Sequence, residues 1–144
     1  MNKFPQLGQQ LFVSNGHYKE YAHIPHPWED MNAHFYRYIA GYKDAADTLI
    51  QQSLEKKDNY TLDTFVFPAC FLYRQYLELA LKDIYLSNVK DSERGKIKTI
   101  DECQHDLCKI WSKVKPLILA DFPNDDKDVL EAVENYIKQF AAED

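Results

Sequence analysis

The sequence predicts an all-α fold, an up-and-down bundle of four main helices with an irregular N-terminal arm. Residues 65–86 are apolar over most of a helical circumference, as in a helix with neighbours on more than one side. Apolar residues elsewhere recur at three- and four-residue steps. Only four glycines and six prolines occur among 144 residues, too few for a turn-rich β-sandwich. The length fits one domain, residues 1–144, with its own core.

The N-terminal arm covers residues 1–26, which lack sustained periodicity. We expect it to pack over the bundle, because its aromatic and aliphatic side chains are costly to leave in water. The first helix is predicted to begin at Pro27 or Trp28. Proline suits the first helical position, and the two acidic residues that follow suit the positive end of the helix. This helix should fade within residues 55–60.

The second helix is predicted to be the central one, over residues 65–86. Asp63 or Thr64 is its expected N-cap. Pro68 then lies near its start, where a missing N–H costs little. The apolar residues cover so much of this segment that it must be enclosed by neighbouring helices.

Residues 87–104 are predicted to be a connection, and it is long for a bundle. Such length often accompanies function or disorder. A third helix follows, opened by His105 and Asp106. Pro116 cannot donate a backbone hydrogen bond, so we expect a kink or a stop near Lys115.

The fourth helix is predicted to begin at Asp125, Asp126 or Asp128 and to carry apolar residues as far as Phe140.

The whole chain holds ten tyrosines and eight phenylalanines, more than a core of this size easily buries. Aromatic residues are enriched at protein interfaces. We therefore expect a homodimer.

The charge distribution excludes a generally nucleic-acid-attracting protein, since the net charge is −6. Residues 88–118 differ, with seven basic and five acidic side chains, so an anion-binding surface is expected there. No basic, apolar leader and no apolar stretch of membrane length occur, which predicts no membrane association. Three cysteines fit a reducing, cytoplasmic compartment, with Cys70 expected in the core.

Ligand-type residues are clustered at Cys103, His105 and Cys108, whose side chains are zinc ligands in other proteins. A structural zinc site needs a fourth ligand, and no paired half-site occurs. The alternative is that His105 or Asp106 caps the third helix while the cysteines pack. A second set has no spacing that brings its members to one point: His23, His26 and His34. We expect no metal and no cofactor.

A polar stripe runs along the central helix at i, i+4 and i+8: Arg74, Glu78 and Lys82. One interpretation is a pair of ion pairs on a solvated face, worth a few tenths of a kcal/mol each. In the other, the stripe lines a cleft. Arg74 would then hold a phosphate, and Tyr73 or Tyr85 would offer a ring for stacking. His105 would supply an imidazole that moves a proton near neutral pH.

Two segments, LYRQYLELALKDIYL and HDLCKIW, carry a family resemblance. They resemble the HEPN superfamily, small helical bundles in which a helix of the form R-x2-[LIA]-E-x2-[LI]-K precedes a helix opened by His-Asp-Leu. The resemblance covers about residues 65–118. It implies an up-and-down bundle that commonly dimerises. Many members are metal-independent ribonucleases of toxin or antiphage systems, and others bind nucleotides or support a partner. The matching positions are Arg74, Glu78, Lys82, His105 and Asp106.

The chain departs from the nuclease pattern of that superfamily, an Arg followed by a His after four to six residues. Arg37, Arg74 and Arg94 have no His at that distance, and His105 lies eleven residues after Arg94. We therefore expect a non-catalytic module of a bacterial defence or regulatory system, with a nucleotide, RNA or protein partner. The alternative is a metal-independent ribonuclease with a rearranged site, using His105 with Arg74 or Arg94.

Overall fold

The computed structural model describes residues 31–123 and 127–142, with side chains from residue 35 onward. Its elements are α1 (Met31–Lys56), α2 (Asn59–Asn88), α3 (Glu93–Cys103), α4 (Leu107–Asp121) and α5 (Lys127–Ala142). The prediction of an all-helical fold is confirmed for this part of the chain, but the helices number five rather than four. The predicted arm, the start of the first helix and the candidate ligands His23 and His26 lie outside the described residues, as does the side chain of His34.

The connection between α1 and α2 is only two residues long. Asp58 caps α2: its carboxylate accepts hydrogen bonds from the Thr61 N–H at 2.8 Å and from Thr61 Oγ1 at 2.7 Å. The predicted N-cap, Asp63 or Thr64, is therefore wrong. Helix α2 begins before these residues, and Asp58 accepts a hydrogen bond from a backbone N–H of its first turn. As a result Pro68 lies inside α2, where its ring is exposed to solvent.

Helix α3 occupies most of the segment predicted to be a connection. Ser92 is its N-cap, accepting a hydrogen bond from the Gly95 N–H at 3.1 Å. Ile100 and Cys103 lie one turn apart and pack against the core. The Lys96 ammonium also donates to the Leu86 carbonyl at 3.1 Å, which ties α3 to the end of α2. These contacts stabilise α3. Its many charged residues weaken the apolar periodicity by which a helix is predicted from the sequence.

Helix α4 continues through Pro116 to Asp121, so the predicted stop near Lys115 is wrong. Leu117 and Ile118, beyond the proline, pack against the core and offset the lost backbone hydrogen bond. The helix ends where the Phe122 N–H donates to the Ile118 carbonyl.

The packing of the described helices is sequential: α1 lies on α2, α2 on α4, and α4 on α5, while α3 contacts α2 and α4. Helix α2 thus has three neighbours among the described helices, as predicted for a central one, but Phe67 and Phe71 in its first half are exposed and not enclosed. The pairings show an all-helical array, and the bundle of four helices stays a prediction. The buried core lies at one end of the array: Leu81, Tyr85, Cys103, Leu107, Ile110, Trp111, Val114 and Ile137. None of the described helices combines the length and apolarity that crossing a bilayer demands.

Candidate functional site

A buried carboxylate lies at the centre of the candidate site. Glu78 on α2 is 3% exposed and has three partners. Arg74 Nη1 donates to its Oε2 at 3.1 Å, and Lys82 Nζ donates to its Oε1 at 2.6 Å. His105 Nδ1 lies 2.9 Å from the same Oε1. We refer to these four residues as the Glu78 cluster.

Helical spacing places two of these partners, since residues four apart lie on the same face of α2. The third comes from the turn between α3 and α4. There Gln104 has a positive φ of 51°, and the Asp106 N–H donates to the Cys103 carbonyl at 3.1 Å. This sharp turn directs His105 back over Glu78.

The same turn is held to α2 at a second point. Arg74 Nη2 donates to the backbone carbonyl of His105 at 2.9 Å. Arg74 therefore bonds both the carboxylate of Glu78 and the backbone of the turn. One guanidinium with two fixed partners holds the position of the imidazole relative to the helix.

The protonation state of Glu78 follows from its partners. Burial alone would raise the pKa of Glu78, but hydrogen bonds and charges from Lys82 and His105 outweigh it and hold the pKa below its usual value. An ionised carboxylate only accepts hydrogen bonds, so His105 Nδ1 must carry a proton and donate it. This leaves Nε2, on the other side of the ring, for a ligand.

Exposure within the cluster is uneven. The side chains of Arg74 and Lys82 are 16% and 14% exposed, whereas that of His105 is 79% exposed. His105 and Lys82 line an open depression of about 480 Å³ together with Ile100, Asp101 and Gln104. Arg74, Lys82 and Glu78 together carry a charge of +1, in a chain whose net charge is −6. The depression therefore presents the Lys82 ammonium, the Asp101 carboxylate and a directed imidazole.

The structure brings together four of the predicted site residues: Arg74, Glu78, Lys82 and His105. Both i, i+4 ion pairs of the stripe form. The interpretation of the stripe as a solvated face is wrong, because Glu78 is buried beneath the α3–α4 turn.

Asp106 lies beside the cluster as the N-cap of α4. Its carboxylate accepts a hydrogen bond from the Lys109 N–H at 2.9 Å, and this bond lowers the pKa of Asp106. Capping was predicted for His105 or Asp106, and Asp106 performs it. The side chain of His105 instead bonds Glu78, so a role for His105 as the cap is corrected.

The two tyrosines predicted to stack on a ligand lie elsewhere. Tyr85 is 7% exposed and belongs to the core, so neither face of its ring is open to a ligand. The Tyr73 hydroxyl donates to Asp47 Oδ1 at 2.6 Å, which directs this side chain toward α1. Both residues are close to the stripe in the sequence, which is why they were predicted to belong to it. In the structure the ring of Tyr85 packs in the core and the side chain of Tyr73 contacts α1.

The cysteines are distributed differently from the prediction. Cys70 is exposed, so the prediction that it lies in the core is wrong. Cys103 is buried and Cys108 is exposed. Within the described ranges, no group of three His, Cys, Asp or Glu residues is placed to hold a metal ion.

Three residues of the depression were not singled out by sequence reasoning, namely Ile100, Asp101 and Gln104. They belong to the segment predicted to be a connection. A positive φ is commonly signalled by Gly or Asn, and Gln104 carries no such signal.

Comparison of the chain with protein-family models, with curated proteins and with solved structures finds no match in any of the three.

Proposed function

We propose that this chain is a non-catalytic, HEPN-like binding module of a bacterial defence or regulatory system, which acts in the cytoplasm as a homodimer. The Glu78 cluster would be its ligand site. The ligand would be a phosphate group of a nucleotide or of RNA. The observation that carries this proposal is the convergence of Arg74, Lys82 and His105 on one buried carboxylate.

The charge balance of the cluster supports an anionic ligand. Glu78 neutralises one of the two permanent cations and leaves a charge of +1 on these three side chains, while Asp101 adds one carboxylate to the lining of the depression. A phosphate oxygen gains from the ammonium of Lys82 nearby, and it accepts a hydrogen bond from Nε2 of His105 when both ring nitrogens carry a proton, since Nδ1 already donates to Glu78. An acidic chain would otherwise repel such a ligand. One ammonium and one directed imidazole in a single depression favour a small, specific contact over general binding to nucleic acid.

The fixed geometry supports binding more than catalysis. General acid–base catalysis of phosphoryl transfer needs groups that exchange protons with the substrate. Here Arg74 is held by Glu78 and by the His105 carbonyl, and Lys82 is held by Glu78. The resemblance of residues 65–118 to the HEPN superfamily supports the assignment to that class. The missing Arg/His spacing supports the absence of its nuclease chemistry.

A binding assay tests the proposal. The fluorescence anisotropy of a labelled single-stranded RNA should rise on titration with the wild type at low salt, and unlabelled ATP should compete if the phosphate is the recognised group. Lys82→Gln and His105→Asn should each weaken binding by about tenfold or more. Lys98→Gln, an exposed lysine on α3, is the matched control and should bind like the wild type. Equal binding by all four proteins would refute the site.

A ribonuclease with a rearranged site is the second candidate. The observation that favours it is the 2.9 Å contact between His105 Nδ1 and Glu78, because a carboxylate in this position orients an imidazole as a general base. The test is incubation of the purified protein with mixed RNA, with and without EDTA. We expect no cleavage. Cleavage that EDTA does not inhibit and that His105→Asn abolishes would establish the ribonuclease instead.

A further inference from the structure

A large apolar surface lies on α2 and α5 beside the core, against which Phe140 also packs. Between the first half of α2 and the end of α5 runs a groove of about 780 Å³, with walls that include Val66, Phe67, Phe71 and Phe140. We call it the α2–α5 groove. Phe67 is 74% exposed although it is fully apolar. Because α5 packs on α4 and not closely on α2 in the described part of the chain, nothing there fills the groove.

Helix α5 extends this surface with a ridge. Val129, Val133 and Tyr136 are all exposed, and their spacing of i, i+4 and i+7 places them on one face. Phe140, four residues further on, continues the same face into the α2–α5 groove. The opposite side of the apolar arc, which includes Ile137, is buried against α4. Helix α5 thus has apolar side chains on a face that its contact with α4 leaves exposed.

The area of this surface is a large share of what a dimer interface needs. At about 150–250 Å² per aromatic side chain, Phe67, Phe71 and Tyr136 present roughly 300–500 Å² at their observed exposures. Val66 and the two valines of the ridge add to this. The total is at least about half of the ~800 Å² that each partner contributes to a standard interface, and it lies near the top of the range of about 300–600 Å² for the largest apolar patch of a monomer.

We propose that the α2–α5 groove and the α5 ridge form the surface through which two copies of this chain associate. This inference rests on the homodimer proposed above and names its interface. A two-fold arrangement lets the ridge of each copy enter the groove of the other, so that both features are covered at once. Arg74 is the only charged residue lining the groove in the described part of the chain, so two acidic copies meet there without facing carboxylates.

The cysteines provide a built-in probe of this interface. Cys70 lies in the groove and is exposed in one copy, so the second copy would cover it. Cys108 is exposed and does not line the groove, which makes it an internal reference. Mass spectrometry after brief treatment with a maleimide gives the ratio of labelling at the two cysteines.

The experiment combines that ratio with sedimentation equilibrium over a range of protein concentrations. We expect a dimer in which Cys70 reacts at least severalfold more slowly than Cys108, with the difference disappearing on dilution. Phe67→Glu, and separately Tyr136→Glu, should yield monomers with unchanged helical circular dichroism and equal labelling of both cysteines. Tyr38→Glu, an equally exposed aromatic position on α1, should remain dimeric.

The outcomes separate the interface from the dimer itself. A dimer in which Cys70 labels as fast as Cys108 would overturn this interface and leave the homodimer standing. A wild type that stays monomeric at high concentration would overturn both. If Cys70 is labelled slowly and dilution does not change its rate, something other than a second copy covers the groove. That result would overturn the proposal that the second copy is the occupant.

Discussion

The side chain of Glu78 occupies a position in α2 where its apolar neighbours would lead one to expect another core residue. Burying an unpaired carboxylate is prohibitively costly, and the group would become protonated instead. Arg74, Lys82 and His105 each bond it, and the pKa of Glu78 is lowered despite its burial. The carboxylate of Glu78 therefore pairs with one guanidinium and one ammonium, and it sets the orientation of one imidazole.

Replacing Glu78 by glutamine should destabilise the protein by roughly 2–4 kcal/mol. Arg74 and Lys82 would lose the carboxylate that they share. The resulting loss of stability is smaller than for a fully buried ion pair, because both side chains can turn toward water. Chemical denaturation at pH 7 measures it. Lys98→Gln, which removes an exposed ion pair with Glu102, should change stability by less than about 0.5 kcal/mol. An unchanged midpoint for Glu78→Gln would show that the cluster contributes nothing to folding.

At the scale of helices, the sequence predicts the long periodic elements and misses those set by local capping. The apolar pattern locates α2 and α4, and the i, i+4 spacing selects Arg74, Glu78 and Lys82. The beginning of α2 depends on one Asp58–Thr61 interaction, and competing candidates at Asp63 and Thr64 look equivalent in the sequence. Whether the stripe is buried depends on where the α3–α4 turn lies. That position is set by tertiary packing and cannot be predicted from the periodicity of α2.

The core of α2 supplies a prediction at this scale. Leu81→Ala should destabilise by roughly 2–5 kcal/mol, because Leu81 is buried among residues of α4 that cannot collapse into the space left behind. Leu77→Ala should cost less, since Leu77 is only partly buried. Leu54→Ala makes the same change at an exposed position of α1 and should alter the melting temperature very little. Equal effects at Leu81 and Leu54 would contradict the placement of the core.

The contact of α4 with α5 supplies a pH dependence. Hydrogen bonds from Lys115 on α4 and from Lys138 lower the pKa of Glu134 to about 2. In the unfolded chain the pKa of a glutamate is about 4.3, so the unfolded state binds more protons between these two values. The stability that Glu134 contributes is thus fully present above about pH 4.3 and is lost as the pH falls toward 2.

Glu134→Gln should therefore lower the melting temperature near pH 7, and its difference from the wild type should shrink steadily below about pH 4.3. Thermal melts from pH 7 to pH 2 measure this convergence. Glu131→Gln, at an exposed position of the same helix, is the control. A wild-type-to-variant difference that stays constant over the whole range would exclude the ion pairs of Glu134 as its source.

In the described part of the chain, the two proposed surfaces lie at different places along α2. The Glu78 cluster and its depression lie where α2 meets the α3–α4 turn, next to the buried core. The α2–α5 groove and the α5 ridge lie on the first half of α2 and on α5. Arg74 belongs to both regions, since it lines the α2–α5 groove and bonds Glu78. Ligand binding and self-association would thus use adjoining but different surfaces of one small helical array.

The central claim is that an anionic ligand contacts His105, and the imidazole itself reports this most directly. Protein labelled with 15N at its histidines gives separate Nδ1 and Nε2 resonances for each of the five rings. On titration with ATP, the Nε2 resonance of His105 should shift and saturate, while Nδ1 should keep the signature of a hydrogen bond to Glu78. Lys82→Gln should weaken the saturation. A His105 Nε2 resonance that does not move at millimolar ATP would contradict the account.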